Sequence, residues 1–407
     1  MIKRIKEICD YVSRGTTPDY IDEGENKVMN QATFSKGWLD ENNIRYTSKN
    51  NKSAQIKKGD LLMASTGGGV LGKVFFFDSD DNKFYADSHV TILRDSKGTN
   101  LMKYLYYHFY LRYNEINATM VKGSTNQTEL QRNYLLSYEL DIPSLEVQKR
   151  MVNYLDTKLS EIDTQVSLLT SKRDAYLRLK KSIINRAVTK GLNPDVKMKD
   201  SGIEWIWKIP EHWEVKRMKD ICALSPNIKS CSEYEYGSYL PMEGLRLDQI
   251  ETSDELVSTL QGKYTPFEDN DLLVAKVTPC FENGNIAIAK GLTNGVGFGS
   301  SEIFVLRANK YNNIRFLFYM SLSSKFQDKA CATMCGVGGL KRISPLFMKT
   351  YIMAIPPLPE QNAIATYLDE KCFKIDTIVA NLEKQICKYA DLKRSLIDEV
   401  ITGKRAV

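Results

Sequence analysis

Between Leu145 and Lys190 the apolar residues recur in steps of mostly four and three: Met151, Leu155, Leu159, Ile162, Val166, Leu169, then Tyr176 and Ile183. The same register runs through Leu368, Cys372, Ile375, Val379, Leu382, Ile386, Tyr389, Leu396 and Val400. This spacing predicts two long amphipathic helices, 145–190 and 358–407, each carrying a coiled-coil seam over about five heptads. Arg173, Lys180 and Lys393 interrupt the seam. Ser144 is placed to cap the first helix, and Pro356-Pro357-Leu358-Pro359 fixes the chain entering the second. Each helix would be roughly 65–70 Å long. A lone helix of that length cannot bury its stripe. The two are therefore expected to pack on each other, and the long segment between them favours antiparallel pairing.

Outside the helices the pattern is mixed. Short apolar runs predict strands at Asp60–Ala64, Lys73–Phe77, His89–Arg94, Asp271–Lys276, Ile286–Ala289 and Glu302–Leu306, with short helices at Met102–Leu111 and Ile314–Leu322. Regular strand–helix alternation is missing, so a doubly wound sheet is not expected. The region around Pro18-Asp19 and Glu25-Asn26-Lys27 reads as acidic loop.

The chain repeats itself. At an offset of 213 residues, 19 of 48 positions are identical between Ile142–Thr189 and Ile355–Thr402. They include Pro143/Pro356, Gln148/Gln361, Tyr154/Tyr367, Asp156/Asp369, Asp163/Asp376 and Tyr176/Tyr389. Arg4, Lys6, Ile8 and Cys9 match Arg217, Lys219, Ile221 and Cys222, and Leu93-Arg94 matches Leu306-Arg307. Asp60-Leu61-Leu62 matches Asp271-Leu272-Leu273 after a small gap. The fold class is thus α+β: two globular mixed domains, each followed by a long helix, in an internal pseudo-two-fold duplication. The expected boundaries are 1–144, 145–190, a linker at 191–216, 217–357 and 358–407. The linker holds Trp205, Trp207 and Trp213, three of the four tryptophans, either packing on a neighbouring domain or anchoring a partner. Like helices carrying unlike domains suggest one task performed on two targets.

Composition narrows the class. With 43% hydrophobic and 26% charged residues the chain is ordinary globular protein. No apolar run is long enough for a membrane span, and the N-terminal stretch does not read as a secretory signal. Eight cysteines without a framework read as reduced thiols in a cytoplasmic protein. The net charge of +6 is concentrated in 145–190, which holds ten basic and five acidic side chains. A basic helix face is usually only solvated, so this alone does not establish a polyanion partner.

Reactive constellations fail on inspection. Gly67-Gly68-Gly69-Val70-Leu71-Gly72-Lys73-Val74 nearly fits a nucleotide-phosphate loop. However, Val74 replaces the magnesium-ligating hydroxyl, and Phe75-Phe76-Phe77 continues as strand where a helix is required. Cys331 and Cys335 have no His or Cys pair placed to complete a zinc site. A binding protein without catalytic residues, metal or cofactor is the expectation. Its candidate contacts are loops rich in Gly, Thr, Asn, Gln and basic residues: Thr16, Thr17, Gln31, Thr66, Gly67, Ser124, Thr125, Asn126 and Gln127 in the first half, and Lys276, Thr278, Asn283, Lys341 and Arg342 in the second. Asn and Gln can pair bidentately with adenine, and Arg and Lys with guanine. Ordinary surface loops share this composition. Two other readings stay open: a coiled-coil adaptor with two binding heads for something other than DNA, and a nucleotide hydrolase at Gly67–Lys73.

The motifs also carry a resemblance. A variable domain, then I-P-x-L-x-x-Q leading into a long helix with Tyr-Leu-Asp and Ile-Asp, repeated twice, resembles the specificity subunit of type I restriction–modification enzymes. IPPLPEQ with TYLDEKCFKIDTIV, and SGIEWIWKIPEHWEVKRMKDI before the second domain, are similar to the family's helical region and junction. LLVAKVTPCFENGNIAIAK, GFGSSEIFVLR, GGLKRIS and GSTNQTEL resemble stretches of its recognition domains. The first domain departs in lacking the Trp-rich lead-in. The resemblance implies that each domain reads one half of a bipartite double-stranded DNA site. It also implies that the helices set the gap and dock two methyltransferase subunits, which use S-adenosylmethionine to methylate adenine. Restriction subunits would add ATP-driven translocation and cleavage.

Overall fold

The computed structural model describes residues 1–122, 128–204, 206–226, 228, 233–337 and 339–407. The long helices form where the spacing puts them, at Leu145–Lys190 and Leu358–Ile401. The second stops short of the expected 407, because Thr402-Gly403 turns the chain and Arg405 folds back onto Glu399. The chain divides into two compact units: Met1–Leu169 with Lys384–Val407, and Thr170–Glu383.

In the first unit the core joins Val152, Leu155, Leu159 and Ile162 to Leu396, Ile397, Val400 and Ile401. The start of one long helix thus packs on the end of the other. In the second unit Ile184, Ala187 and Val188 share a core with Ile364, Leu368 and Cys372, so the end of the first helix meets the start of the second. Both pairings are antiparallel, as expected. Two of the three charged interruptions find partners across this pairing, whereas Arg173 pairs with Asp174 of its own helix. Lys180 Nζ reaches Asp376 at 2.6 Å in the second unit, and Lys393 Nζ reaches Asp163 at 2.6 Å in the first. Lys180 and Lys393 are repeat equivalents, as are Asp163 and Asp376, so one ion pair is made twice.

Each unit holds two four-stranded sheets. One is antiparallel, in the order Tyr11–Arg14, Val90–Arg94, Leu61–Ala64, Val74–Phe76 in the first unit and Cys222–Leu224, Ile303–Ala308, Leu272–Ala275, Ile286–Ile288 in the second. Register is shared: Leu61 faces Leu93, and Leu272 faces Leu306. At one end of the two middle strands of each sheet an arginine forks onto a buried aspartate, Arg94 on Asp60 at 2.6 Å and Arg307 on Asp271 at 2.7 Å. The second sheet runs Tyr20–Ile21, Arg45–Thr47, Asn26–Met29, Phe84–Ala86 in the first unit and Ser253–Leu256, Tyr236–Leu240, Val296–Gly299, Thr265–Glu268 in the second. Each contains one parallel pair, Asn26–Met29 with Phe84–Ala86 and Tyr236–Leu240 with Val296–Gly299. The expectation of loop around Glu25-Asn26-Lys27 is therefore corrected: Asn26–Met29 is a strand, held by neighbours on both sides rather than by any apolar alternation of its own.

Motif residues join domain to helix. Gln148, buried, accepts from Leu101 N (2.8 Å) and donates to Pro143 O (3.0 Å). Gln361 repeats this with Asn313 N (2.8 Å) and Pro356 O (2.9 Å). Tyr107 and Tyr319 each donate to the helix aspartate, Asp156 or Asp369, at 2.6 Å. Cys9 and Cys222 are core residues whose thiols burial pushes up to about 12. In 191–216, Trp213 is fully buried in the second unit's core and donates to Glu360 at 3.1 Å, whereas Trp207 is 76% exposed. Trp205 lies outside the described residues.

His108 gives a pH prediction. Burial, aided by Arg112, lowers its pKa from 6.5 to about 4. As pH falls from 6.5, the unfolded chain takes up a proton that the folded chain refuses, so stability falls. The loss levels off near pH 4 and amounts to at most about 3 kcal/mol. Denaturation of parent and His108→Gln between pH 7 and 4 should show a smaller acid loss in the variant; equal slopes would contradict this.

Candidate nucleic-acid interface

In the first unit, loops from remote segments meet where the parallel strands Asn26–Met29 and Phe84–Ala86 end. Gly15 N donates to Val90 O (2.9 Å) and Thr16 N to Ala86 O (3.2 Å). Gly15 is obligatory, because a Cβ there would lie 2.1 Å from Ala86 O. Thr17 follows, exposed. Asn30 caps the short helix Gln31–Phe34 and so sets the position of Gln31. Gln31 Nε2 lies 3.6 Å from where a Cβ on Gly67 would sit, and Gln31 Oε1 is buried without a hydrogen-bond partner. Thr66 Oγ1 and His89 Nδ1 share a hydrogen bond of 2.6 Å. Thr16, Gln31, Thr66 and Gly67 thus come from loops that this strand junction ties together. Ser124, Thr125, Asn126 and Gln127 lie outside the described residues. Gly67–Lys73 turns directly into the strand Val74–Phe76, so its amides do not open a helix as a phosphate loop would require.

Sequence reasoning missed three neighbours. Arg14 donates to Ser88 O (2.9 Å) and to Glu129 Oε1 (3.1 Å). Exposed His89 and Glu129 stand on the same junction. Beside them Asp87 is buried, and loss of water raises its carboxyl pKa despite the His89 N–H it accepts. No local pattern marks these residues, since backbone pairing between distant segments assembles them.

In the second unit four of the five candidates, Lys276, Thr278, Lys341 and Arg342, form one network. Thr278 N donates to Lys341 O (2.9 Å), Lys341 N to Thr278 Oγ1 (3.0 Å), and Thr278 Oγ1 to Gly339 O (2.8 Å). Gly336 lets this hairpin close: its φ is 155°, and a Cβ would lie 2.1 Å from Leu340 O. Lys276 Nζ donates to Ser301 O at 2.6 Å and sits over Phe304, and burial lowers its pKa. Arg342 forks onto Glu302, with contacts of 2.8–3.0 Å. That bond holds the Glu302 carboxyl below the usual range. Lys341 and Arg342 are exposed. Asn283 stands apart, exposed on the turn after Pro279. Glu302 was not anticipated from the sequence.

Both surfaces offer donors and acceptors at a partly exposed rim carried on the sheets, suited to polar contacts with an extended ligand. Among the described residues no group of three His, Cys, Asp or Glu is placed to hold a metal, and no helix is long and apolar enough to cross a membrane.

Comparison with known proteins places this architecture. The chain is 28% identical over 199 residues to the type I restriction enzyme EcoEI specificity subunit of Escherichia coli, a match covering 48% of this chain and 33% of that protein. The chain thus accounts for about a third of that relative's length. It is 23% identical over 420 residues to the putative type I restriction enzyme MjaX specificity subunit of Methanocaldococcus jannaschii, covering 99% of this chain and 93% of that one. A chain solved in work on complex assembly and conformational transition of the type I R-M system shares the fold with a TM-score of 0.70 at 13% identity, over 98% of this chain and 97% of that one. The family model for the type I restriction modification DNA specificity domain matches residues 1–168 and 210–387. The chain belongs to that family.

Proposed function

We propose that this chain reads a bipartite double-stranded DNA site for a type I restriction–modification complex, with 1–144 and 217–357 as its two recognition domains. The observation that supports this most is duplication of the frame without duplication of the rim. Sheet order, the Arg–Asp fork and the Gln clamp recur in both units, while the exposed loop residues differ. Conserved positioning with changed donors and acceptors is what two half-sites of different sequence require. The helices join the two readers, set the gap and dock two methyltransferase subunits, which methylate adenine with S-adenosylmethionine. Restriction subunits add translocation and cleavage. The chain itself is a non-catalytic, cytoplasmic component without its own cofactor.

The purified chain, combined with its methyltransferase partner, should retard duplexes carrying the host's methylated motif and release them to competitor lacking either half. Indifference to sequence would favour an adaptor with other ligands.

A further inference from the structure

The two rims can be aligned bond by bond. Ser65 N donates to His89 O at 2.8 Å, and Lys276 N to Glu302 O at 2.8 Å. Leu130 N donates to Ser65 O at 2.9 Å, and Ile343 N to Lys276 O at 2.9 Å. A single antiparallel bridge joins Thr66 to Glu129 in one unit and Val277 to Arg342 in the other. Position 129 of the first unit is therefore position 342 of the second, and 89 corresponds to 302. At that shared position the side chains are opposite in charge, Glu129 against Arg342. They are equally exposed, 53% and 52%. Each is braced by a partner of opposite charge from a different segment: Arg14 holds Glu129 at 3.1 Å, and Glu302 holds Arg342 at 2.8 Å.

We propose that this shared position reads a base edge in each half-site with opposite hydrogen-bond polarity, and that Arg14 and Glu302 are positioning residues for it. Arg342 donates to a guanine edge, which presents two acceptors in the major groove. Glu129 accepts from an exocyclic amine such as that of cytosine. A guanidinium already forked on a carboxylate keeps N–H groups free on its outer side and has lost much of its rotamer freedom, so its direction is set before DNA arrives. A bare surface arginine would serve for phosphate; a braced one is suited to a single base.

This inference rests on the proposed reading of DNA. Its test uses the full chain with its methyltransferase partner, and a duplex library with every position of both half-sites varied. Arg342→Ala should reduce discrimination for guanine at one position of one half-site by on the order of 5- to 100-fold and leave the other half-site unchanged. Glu302→Gln should weaken the same preference by less, and Glu302→Asp should restore part of it. Glu129→Gln should relax a position in the opposite half-site. The unaffected half-site reports that each variant is folded. Should Arg342→Ala fail that control, Arg342→Gln, whose amide suits an adenine rather than a guanine edge, must lose the guanine preference. A selective parent whose Glu302→Gln and Glu129→Gln profiles are unchanged overturns the inference and spares the proposed function. So does a uniform loss of affinity without a changed base preference, which would mark phosphate contacts. A parent without any sequence preference overturns the proposed function itself.

Discussion

Replacing Asp60 by Ala is expected to cost about 3–5 kcal/mol of stability, the range for breaking a buried ion pair by removing one partner. Asp60 is fully buried and accepts both from the Arg94 fork and from Lys57 N at 2.7 Å. Without it the guanidinium, 14% exposed, has no carboxylate to meet. The matching change in the second unit, Asp271→Ala, is expected to cost less, because Arg307 also reaches Glu268 at 2.7 Å and keeps that partner. Denaturant titration of both variants gives the order. Asp60→Leu combined with Arg94→Met should recover much of the loss, since an apolar pair needs no desolvation of charge. A negligible cost for Asp60→Ala would mean that the repeated fork does not hold the sheet.

The second large effect concerns the helices as a spacer. The boundary between the two compact units crosses them at Leu169/Thr170 and Glu383/Lys384. Inserting one heptad near Leu169 and another near Leu382 keeps the seam in register and leaves the residues within each unit in place. Each helix lengthens by ~10 Å, equal to about three base pairs of duplex at most. The helices need not run parallel to the DNA, so a gain of one to three pairs is expected, with both half-sites unchanged. Methylation mapping of parent and variant reads this directly. Altered half-sites with an unchanged gap would remove the helices from that role.

The long helices were legible because their periodicity is sustained and local: Leu145 and Lys190 bound the first helix in pattern and in structure alike. The duplication was legible from Gln148/Gln361 and Asp156/Asp369, although their work of clamping domain to helix appears only in three dimensions. The second sheet was not legible. Asn26–Met29 and Tyr20–Ile21 are too short to show an alternating pattern, and they become strands through partners distant in sequence. The rim was legible in part. Thr66, Lys276, Thr278 and Arg342 stood out by loop composition, but Arg14, His89, Glu129 and Glu302 sit at strand ends that resemble any other. Only the bridge linking 66 with 129 and 277 with 342 identifies them.

The central claim is that one frame, used twice, reads two different half-sites. Mapping every methylated adenine in a host that carries the chain with its methyltransferase partner, before and after replacing residues 217–357 by a second copy of the equivalent first-half segment, tests it most directly. The account predicts a bipartite motif with two unlike halves in the parent, and the first half repeated as an inverted pair in the replaced chain. A continuous motif in the parent, or an unchanged motif after replacement, would contradict it.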